Sequence, residues 1–190
     1  MDLMNIVAIV VAIVAALAVI WIFNALVAKR QMANNGWSDI DVQLKRRADL
    51  IPQLVTTVQA YAAHERQLFE DIAEKRTRAL AAGDDPAARS VAESELARPV
   101  GRLMALAEGY PDLKASGNFL DLQTALADTE DKIEMARRFY NGAVRELNTL
   151  VETFPANIVA GMFGVGKRKY FEISNDAERA VPAVNTGAGQ

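Results

Sequence analysis

Between Leu3 and Ala28 the chain runs for 26 consecutive residues without one ionisable side chain. At about 1.5 Å of rise per helical residue, such a run crosses a hydrocarbon core of roughly 30 Å with residues to spare. Apolar runs of roughly 10–14 residues suit a buried core helix, and this one is about twice as long. The run therefore predicts a transmembrane helix over 1–28 and ties whatever follows it to a lipid bilayer.

A cleaved signal peptide would have a basic start, a shorter apolar centre and a small-residue cleavage site. Here the start is Met1-Asp2, no Lys or Arg precedes the run, and the run is too long, so the expectation is an uncleaved, single-pass span. Lys29, Arg30, Lys45, Arg46 and Arg47 all follow it. A basic flank of this kind stays on the cytosolic side, which places the C-terminal domain in the cytosol and the N-terminus outside. Trp21 and Phe23 fall near the cytosolic end, where amphipathic rings favour the interface. Ala8, Ala12 and Ala16 form a small-residue ladder at spacing four, which allows two spans to approach and leaves a homo-oligomer open.

Setting the span aside leaves about 160 residues, enough for one domain with a core of its own. With Asp2 removed from the 24 acidic residues, 21 basic residues face 23 acidic ones. A nucleic-acid-binding domain normally carries a clear basic excess, so no nucleic-acid partner is expected. There is no cysteine, which removes disulfides, thiolate metal sites and thiol nucleophiles together. With a single histidine, His64, neither a His-rich metal site nor a His-based triad is expected, and no cofactor is implied.

Beyond the span the pattern is helical throughout. Trp37, Ile40 and Leu44 recur at spacings of three and four, and the helix leaving the membrane should continue to about Ala48. Asp49-Leu-Ile-Pro52 then offers an N-cap and a first-turn proline, predicting a break and a second helix from about Ile51 to Ala82. Its apolar face reads Leu54, Val58, Tyr61, Leu68, Ile72 and Ala79. Gly83-Asp-Asp-Pro86 marks the clearest turn. A third helix, 87–108, carries Val91, Leu96, Leu103 and Leu106, with Pro99 predicting a kink or interruption inside it. The fourth is the most regular. Phe119, Leu122, Leu126, Thr129, Ile133, Ala136, Tyr140, Ala143, Leu147, Leu150 and Phe154 alternate spacings of three and four, as knobs-into-holes packing requires. The expected fold is all-α: a transmembrane helix followed by an up-and-down four-helix bundle over 29–184, with a disordered tail at 185–190.

The catalytic motifs fail one by one. His64-Glu65 begins a zinc-protease signature, but Leu68 stands where the second His belongs. Gly161 to Lys167 has the spacing of a phosphate-binding loop, yet Arg168 replaces the hydroxyl residue and no strand precedes it. Asp39 and Asp41 lie two apart on a helix and do not share a face. The apolar segment 154–165 with its trailing Lys167, Arg168 and Lys169 leaves two readings open. It packs as a lid over the bundle, or it lies on the cytosolic leaflet through Ile158, Val159, Met162, Phe163 and the basic triplet.

Trp37-Ser-Asp-Ile-Asp-Val-Gln-Leu-Lys-Arg-Arg47, Asp49-Leu-Ile-Pro52, Tyr61-Ala-Ala-His64-Glu65 and Tyr110-Pro-Asp-Leu-Lys-Ala115 form an ordered series of motifs. Asn118-Phe119, Ala136-Arg-Arg-Phe-Tyr-Asn141, Phe154-Pro-Ala-Asn157, Gly161-Met-Phe-Gly164 and Tyr170-Phe-Glu172 continue it. Over roughly Phe23 to Val184 this series resembles the LemA family of bacterial membrane proteins. The resemblance implies an N-terminal anchor, a four-helix bundle and residence in the bacterial cytoplasmic (inner) membrane, with no established enzymatic activity. Relatives in the family include a magnetosome membrane protein, which implies a role in membrane organisation. Pro99 departs from the family's uninterrupted third helix, and the aromatic residue that often closes its last motif near Asn185 is absent.

The sequence thus favours a scaffold or protein-docking module for membrane or cytosolic proteins, with Trp37, Asp39, Asp41, Arg46, Arg47, His64, Glu65, Tyr140 and Asn141 as candidate interaction residues. The alternatives are a membrane-remodelling oligomer using 154–169, and a ligand-binding or enzymatic bundle with a cleft around Asp39, Asp41, His64 and Glu65.

Overall fold

The computed structural model describes residues 2–172, and among these the regular structure is helical. The first helix, α1, runs unbroken for 57 residues from Leu3 to Gln59, about 86 Å at the standard rise. It is followed by α2 (Arg66–Ala81), α3 (Pro86–Glu108), the single turn α4 (Pro111–Lys114), α5 (Gly117–Glu152) and the short α6 (Ala156–Met162). The expected domain end at 184 and the tail 185–190 lie outside the described residues.

Helices α1 and α5 form an antiparallel spine. Lys29 faces Glu146, Arg47 faces Glu130 and Asn118 bonds Thr57, so α5 descends along α1 toward the apolar end. The stripe legible in α5 is its inner face, with Phe119, Leu122, Leu126, Thr129, Ile133, Tyr140, Ala143 and Leu147 all buried. Its one polar member needs no outside partner, because the Thr129 hydroxyl donates to the Ala125 carbonyl at 2.7 Å. Phe154 lies past the end of the helix and is exposed. Helices α2 and α3 form a hairpin on the half of the spine far from the apolar end, which gives an up-and-down four-helix bundle.

Three apolar clusters stack along this spine. In the distal one, Ile51, Leu54 and Val58 meet Phe69, Ile72, Leu96, Leu103 and Phe119 from the other three helices. In the middle one, Ile40 and Leu44 meet Ile133, Tyr140 and Val144, and Phe171 from the C-terminal segment completes the layer. The third joins Ile22 and Leu26 to Leu147, Ala156, Val159, Ala160 and Val165. Gly36 looks like a local weakness in α1, yet it sets the middle spacing. A Cβ there would lie 2.9 Å from the Phe139 ring and 3.0 Å from the Tyr140 Cα.

The break expected at 49–52 does not occur. Pro52 sits inside α1. A proline in a helix interior removes the N–H that would bond the carbonyl four residues back, here that of Ala48. Arg76 of α2 takes that place: its Nε donates to the Ala48 carbonyl, and its guanidinium lies 3.9 Å from the Asp49 carboxylate. The chain turns instead at 60–65, where no glycine or proline marks the spot. Leu54 and Val58 consequently belong to α1, Leu68, Ile72 and Ala79 to α2, and Tyr61 is exposed in the turn. The interruption expected at Pro99 is absent as well. Helix α3 is continuous through it, held on either side by Leu96 and Leu103 in the distal core.

The substitution of the Pro52 hydrogen bond by Arg76 makes a double-mutant prediction. Arg76→Met keeps the aliphatic stem and orphans the Ala48 carbonyl, so it should destabilise the bundle by about 1–3 kcal/mol. In a Pro52→Ala background the helix can supply its own N–H, and the cost of Arg76→Met should shrink markedly. Thermal unfolding of the full chain in mild detergent, followed by circular dichroism, checks this; equal costs in both backgrounds would refute the role given to Arg76.

Candidate functional site

The inward stripe of α3 explains where polar chemistry enters the bundle. Ala107, Leu103, Val100 and Leu96 step back at spacings of four and three, and the next two positions are Glu93 and Arg89. Both are buried, whereas Val91, expected to face the core, is exposed. Glu93 meets Arg47 of α1, which is only 3% exposed. The other arm of Arg47 donates to Glu130 of α5 at 2.9 and 3.1 Å. Glu93 also accepts from Arg89 Nε at 2.9 Å, and Arg89 reaches Asp41 at 3.5 Å. The result is a chain of alternating sign, Asp41–Arg89–Glu93–Arg47–Glu130, linking three helices. Burial works against the charge on Arg47, but Glu130 and Glu93 outweigh it and hold the guanidinium more firmly protonated than usual.

On the side of this network nearer the apolar end, a cleft of about 720 Å³ opens. One wall is α1, with Asn34, Trp37, Ser38, Asp41 and Val42; the other is the α2–α3 turn, with Asp84, Asp85 and Pro86. Gly83, at φ 67°, supplies the left-handed residue that the turn needs. Asp85 caps α3 by accepting from the Ala87 N–H at 3.1 Å, and its second oxygen accepts from Lys169 Nζ at 2.8 Å. Lys169 first, and the cap bond second, hold the Asp85 carboxyl below the usual carboxylate range.

The third wall is the C-terminal strap, 165–172, which has no regular structure of its own. Two asparagines of α5 act as its backbone partners. Asn148 accepts from the Arg168 N–H at 2.8 Å and donates to the Arg168 carbonyl at 3.0 Å. Asn141 does the same for Phe171, at 3.0 and 2.9 Å. Seven helical residues and three extended ones both cover about 10 Å, so the two amide side chains meet the strap at two points three residues apart as it runs antiparallel to α5. The Tyr140 hydroxyl donates to the Lys169 carbonyl at 2.9 Å. Burial pushes the Tyr140 phenol up, keeping it a neutral donor. Trp37 packs over the site, its ring tilted at 5.6 Å from Tyr140 and edge-on at 5.7 Å from Phe171.

The sequence candidates divide accordingly. Trp37, Asp41 and Tyr140 line the cleft with Lys167, Arg168 and Lys169; Asn141 clips the strap; Arg47 centres the ion network. Asp39 and Arg46 are exposed on α1, with Arg46 3.5 Å from Asp128. His64 and Glu65 are exposed in the α1–α2 turn. That turn is at least about 27 Å beyond Asp41 along a straight helix, so Asp39, Asp41, His64 and Glu65 do not share a cleft. In the membrane-facing set, Ile158, Met162 and Phe163 are exposed, but Val159 is buried in the third cluster. Arg168 bonds Asn34, Lys169 bonds Asp85, and Lys167 pairs with Glu152. Arg89, Glu93, Glu130, Asp85 and Asn148 are additions that the sequence reading missed. An i,i+4 Arg–Glu pair in register with an apolar stripe was the available signal for two of them.

Removal of Glu93 should be far more damaging than removal of its outlying partner Asp41. Glu93→Ala removes the buried carboxylate that Arg47 and Arg89 share, leaving each guanidinium only its outlying partner, and should cost about 3–5 kcal/mol. Asp41→Ala loses a half-exposed 3.5 Å pair and should cost less than about 1 kcal/mol. Unfolding of both variants beside the parent chain in detergent measures the difference; similar costs would show that the network is not the keystone.

Comparison with known proteins places this architecture. A model of the LemA family matches residues 36–185. The magnetosome protein MamQ 2 of Paramagnetospirillum magneticum is 25% identical over 189 residues, an alignment covering 86% of this chain and 70% of that protein. Magnetosome protein MamQ of Magnetospirillum gryphiswaldense is 25% identical over 174 residues, covering 78% and 64%. Protein LemA of Metamycoplasma hominis is 28% identical over 137 residues, covering 72% and 63%. The chain spans roughly two thirds of the length of these relatives. The match begins at Gly36, where α1 and α5 lie too close for a Cβ, and it takes in the ion network, the strap and all of the cleft but Asn34; the chain belongs to the LemA family.

Proposed function

We propose that the protein is a single-pass scaffold of the cytoplasmic membrane whose bundle presents the cleft around Trp37, Asp41 and Lys169 to a protein partner in the cytosol. The observation that carries this reading is the continuity of α1. From Trp21 to Asp41 there is no joint in the helix, so the cleft is held about 30 Å along a rigid rod from the end of the span. A flexible linker would let the domain wander; a rod gives a docking surface a fixed height and bearing.

The cleft suits a protein surface. It combines carboxylates at 41, 84 and 85, cations at 167, 168 and 169, the Trp37 ring and the exposed Val42. Opposed charges of this kind give orientation and rate of encounter, and an aromatic residue beside them supplies contact area. The only histidine of the chain stands in the far turn, well away from these groups. The basic flank at Lys29 and Arg30 supports the N-outside orientation. Relatives named as magnetosome proteins support a role in membrane organisation.

Photo-crosslinking in intact cells tests the proposal. A photoreactive residue at Val42, on the cleft, should give discrete adducts, and one at Leu120, exposed on α5 away from it, should not. The same adduct pattern from both positions, or none from Val42, would sink the docking role.

A further inference from the structure

The apolar run and the protein core overlap. Residues 3–18 of α1 are exposed on all sides, whereas Ile22 and Leu26, inside the same run, are buried against α6 and the end of α5. A hydrocarbon core of roughly 30 Å takes about 20 helical residues, and the burial of Ile22 and Leu26 under α6 puts the end of the lipid-embedded part of α1 close to Trp21. Trp21 is 73% exposed, as an interfacial ring should be. Helix α6 packs against the very next turn of α1, with the rings of Phe23 and Phe163 only 4.5 Å apart. It is therefore held at the level of the lipid headgroups.

The composition of α6 fits that depth on both faces. Ala156, Val159 and Ala160 point inward and are buried. Ile158 and Met162, four apart on α6, point the other way and are 53% and 71% exposed, and Phe154, just before the helix, is 75% exposed. Between Phe154 and Gly166 there is no charged residue. Cations begin just beyond: the exposed Arg30 on α1, and Lys167 after the left-handed turn at Gly164, φ 65°. The lid and the membrane-lying segment are thus two faces of one element.

We propose that α6 is a membrane foot: its outer face of Ile158 and Met162, together with the preceding Phe154, inserts into the headgroup–acyl boundary of the bilayer that α1 spans. The occupant is lipid because this face continues the lipid-facing surface of α1 without a gap in chain level, Trp21 and Phe163 lying on adjoining turns of the same assembly. An interfacial segment of this kind sinks its apolar face roughly 5–10 Å below the headgroup surface. A second contact beside the span fixes the tilt and rotation of the spine, which a lone helix leaves free. The inference rests on α1 spanning a bilayer, and its test keeps the two apart.

The cysteine-free chain allows single labels without other changes. Met162→Cys, Val10→Cys and Val91→Cys, each carrying an environment-sensitive fluorophore, would be reconstituted as the full chain in phosphatidylcholine–phosphatidylglycerol vesicles. All three side chains are exposed, so the substitutions leave the packing intact, and far-UV circular dichroism checks this. Nitroxide carried on lipid acyl chains should quench the labels at 10 and 162 several-fold more than the label at 91, with aqueous iodide giving the reverse order. If the label at 10 responds to lipid and the one at 162 responds to iodide like that at 91, the foot is refuted and the span stands. If neither 10 nor 162 responds to lipid, the span itself fails and the foot with it. A label at 162 shielded from both quenchers would mean that a second protein copy covers α6, which also overturns the proposal.

Discussion

Everything in this protein hangs on α1 remaining one helix while its surroundings change three times. Its first turns face outward all round with apolar side chains. The turns around Ile22 and Leu26 are covered by α6, those around Ile40 by α5 and the strap, and those from Ile51 by the α2–α3 hairpin. A helix keeps its backbone hydrogen bonds internal in any of these surroundings, which is why a single element can pass from an exposed apolar run to a protein core without a joint. The one place where that internal satisfaction fails is Pro52. There a neighbouring helix repairs the defect through Arg76, so the straight passage of α1 depends on the bundle that it carries.

The middle of the spine shows a different solution to a shortage of helices. The α2–α3 hairpin reaches only as far as Asp85, and beyond it α1 and α5 have two partners fewer. The strap fills the groove. An unstructured segment brought into a groove must satisfy its own N–H and C=O groups. Asn141 and Asn148 present amides that stand in for the peptide groups of a neighbouring strand, while Phe171 supplies the apolar volume. Lys169 on Asp85 and Ser90 on the Glu172 carbonyl then tie the strap to the hairpin. Cleft, strap and hairpin form one unit.

Much of this was legible in the residues, and the exceptions have physical causes. The long apolar N-terminal helix, the inner stripe of α5 and the Gly83–Pro86 turn follow from local patterns that the tertiary structure leaves in place. The break at Pro52 was misread because its remedy, Arg76, lies on another helix and in no local window. The true turn at 60–65 is invisible for the converse reason: its alanines and Tyr61 are acceptable helix residues, and packing of Val58, Ala62 and Phe69 decides the reversal. In α3 apolar spacing alone points to Val91, but that residue is exposed and the inward face carries ions. The correct register runs through Arg89 and Glu93. Among the site candidates, Trp37, Asp41, Tyr140 and Asn141 were found as residues but not as a place, since the strap and the α2–α3 turn that complete the cleft are distant in sequence.

The buried ions that disturbed that reading also explain how the bundle finds one register. Apolar stripes of alternating threes and fours tolerate a shift of one heptad with modest loss, since Leu meets Leu again. A shifted α3 would carry Arg89 and Glu93 away from Arg47, and each uncompensated buried charge costs several kcal/mol. Buried ion pairs add little net stability against an apolar alternative, so the energetic consequence of this one lies in the misaligned states that it penalises. Its place along the spine gives the penalty a use. The network sits at the end of the hairpin nearest the strap, so the same register that pairs Glu93 with Arg47 brings Asp85 beneath Lys169 and closes the cleft. The ion network sets the geometry, and the cleft inherits it.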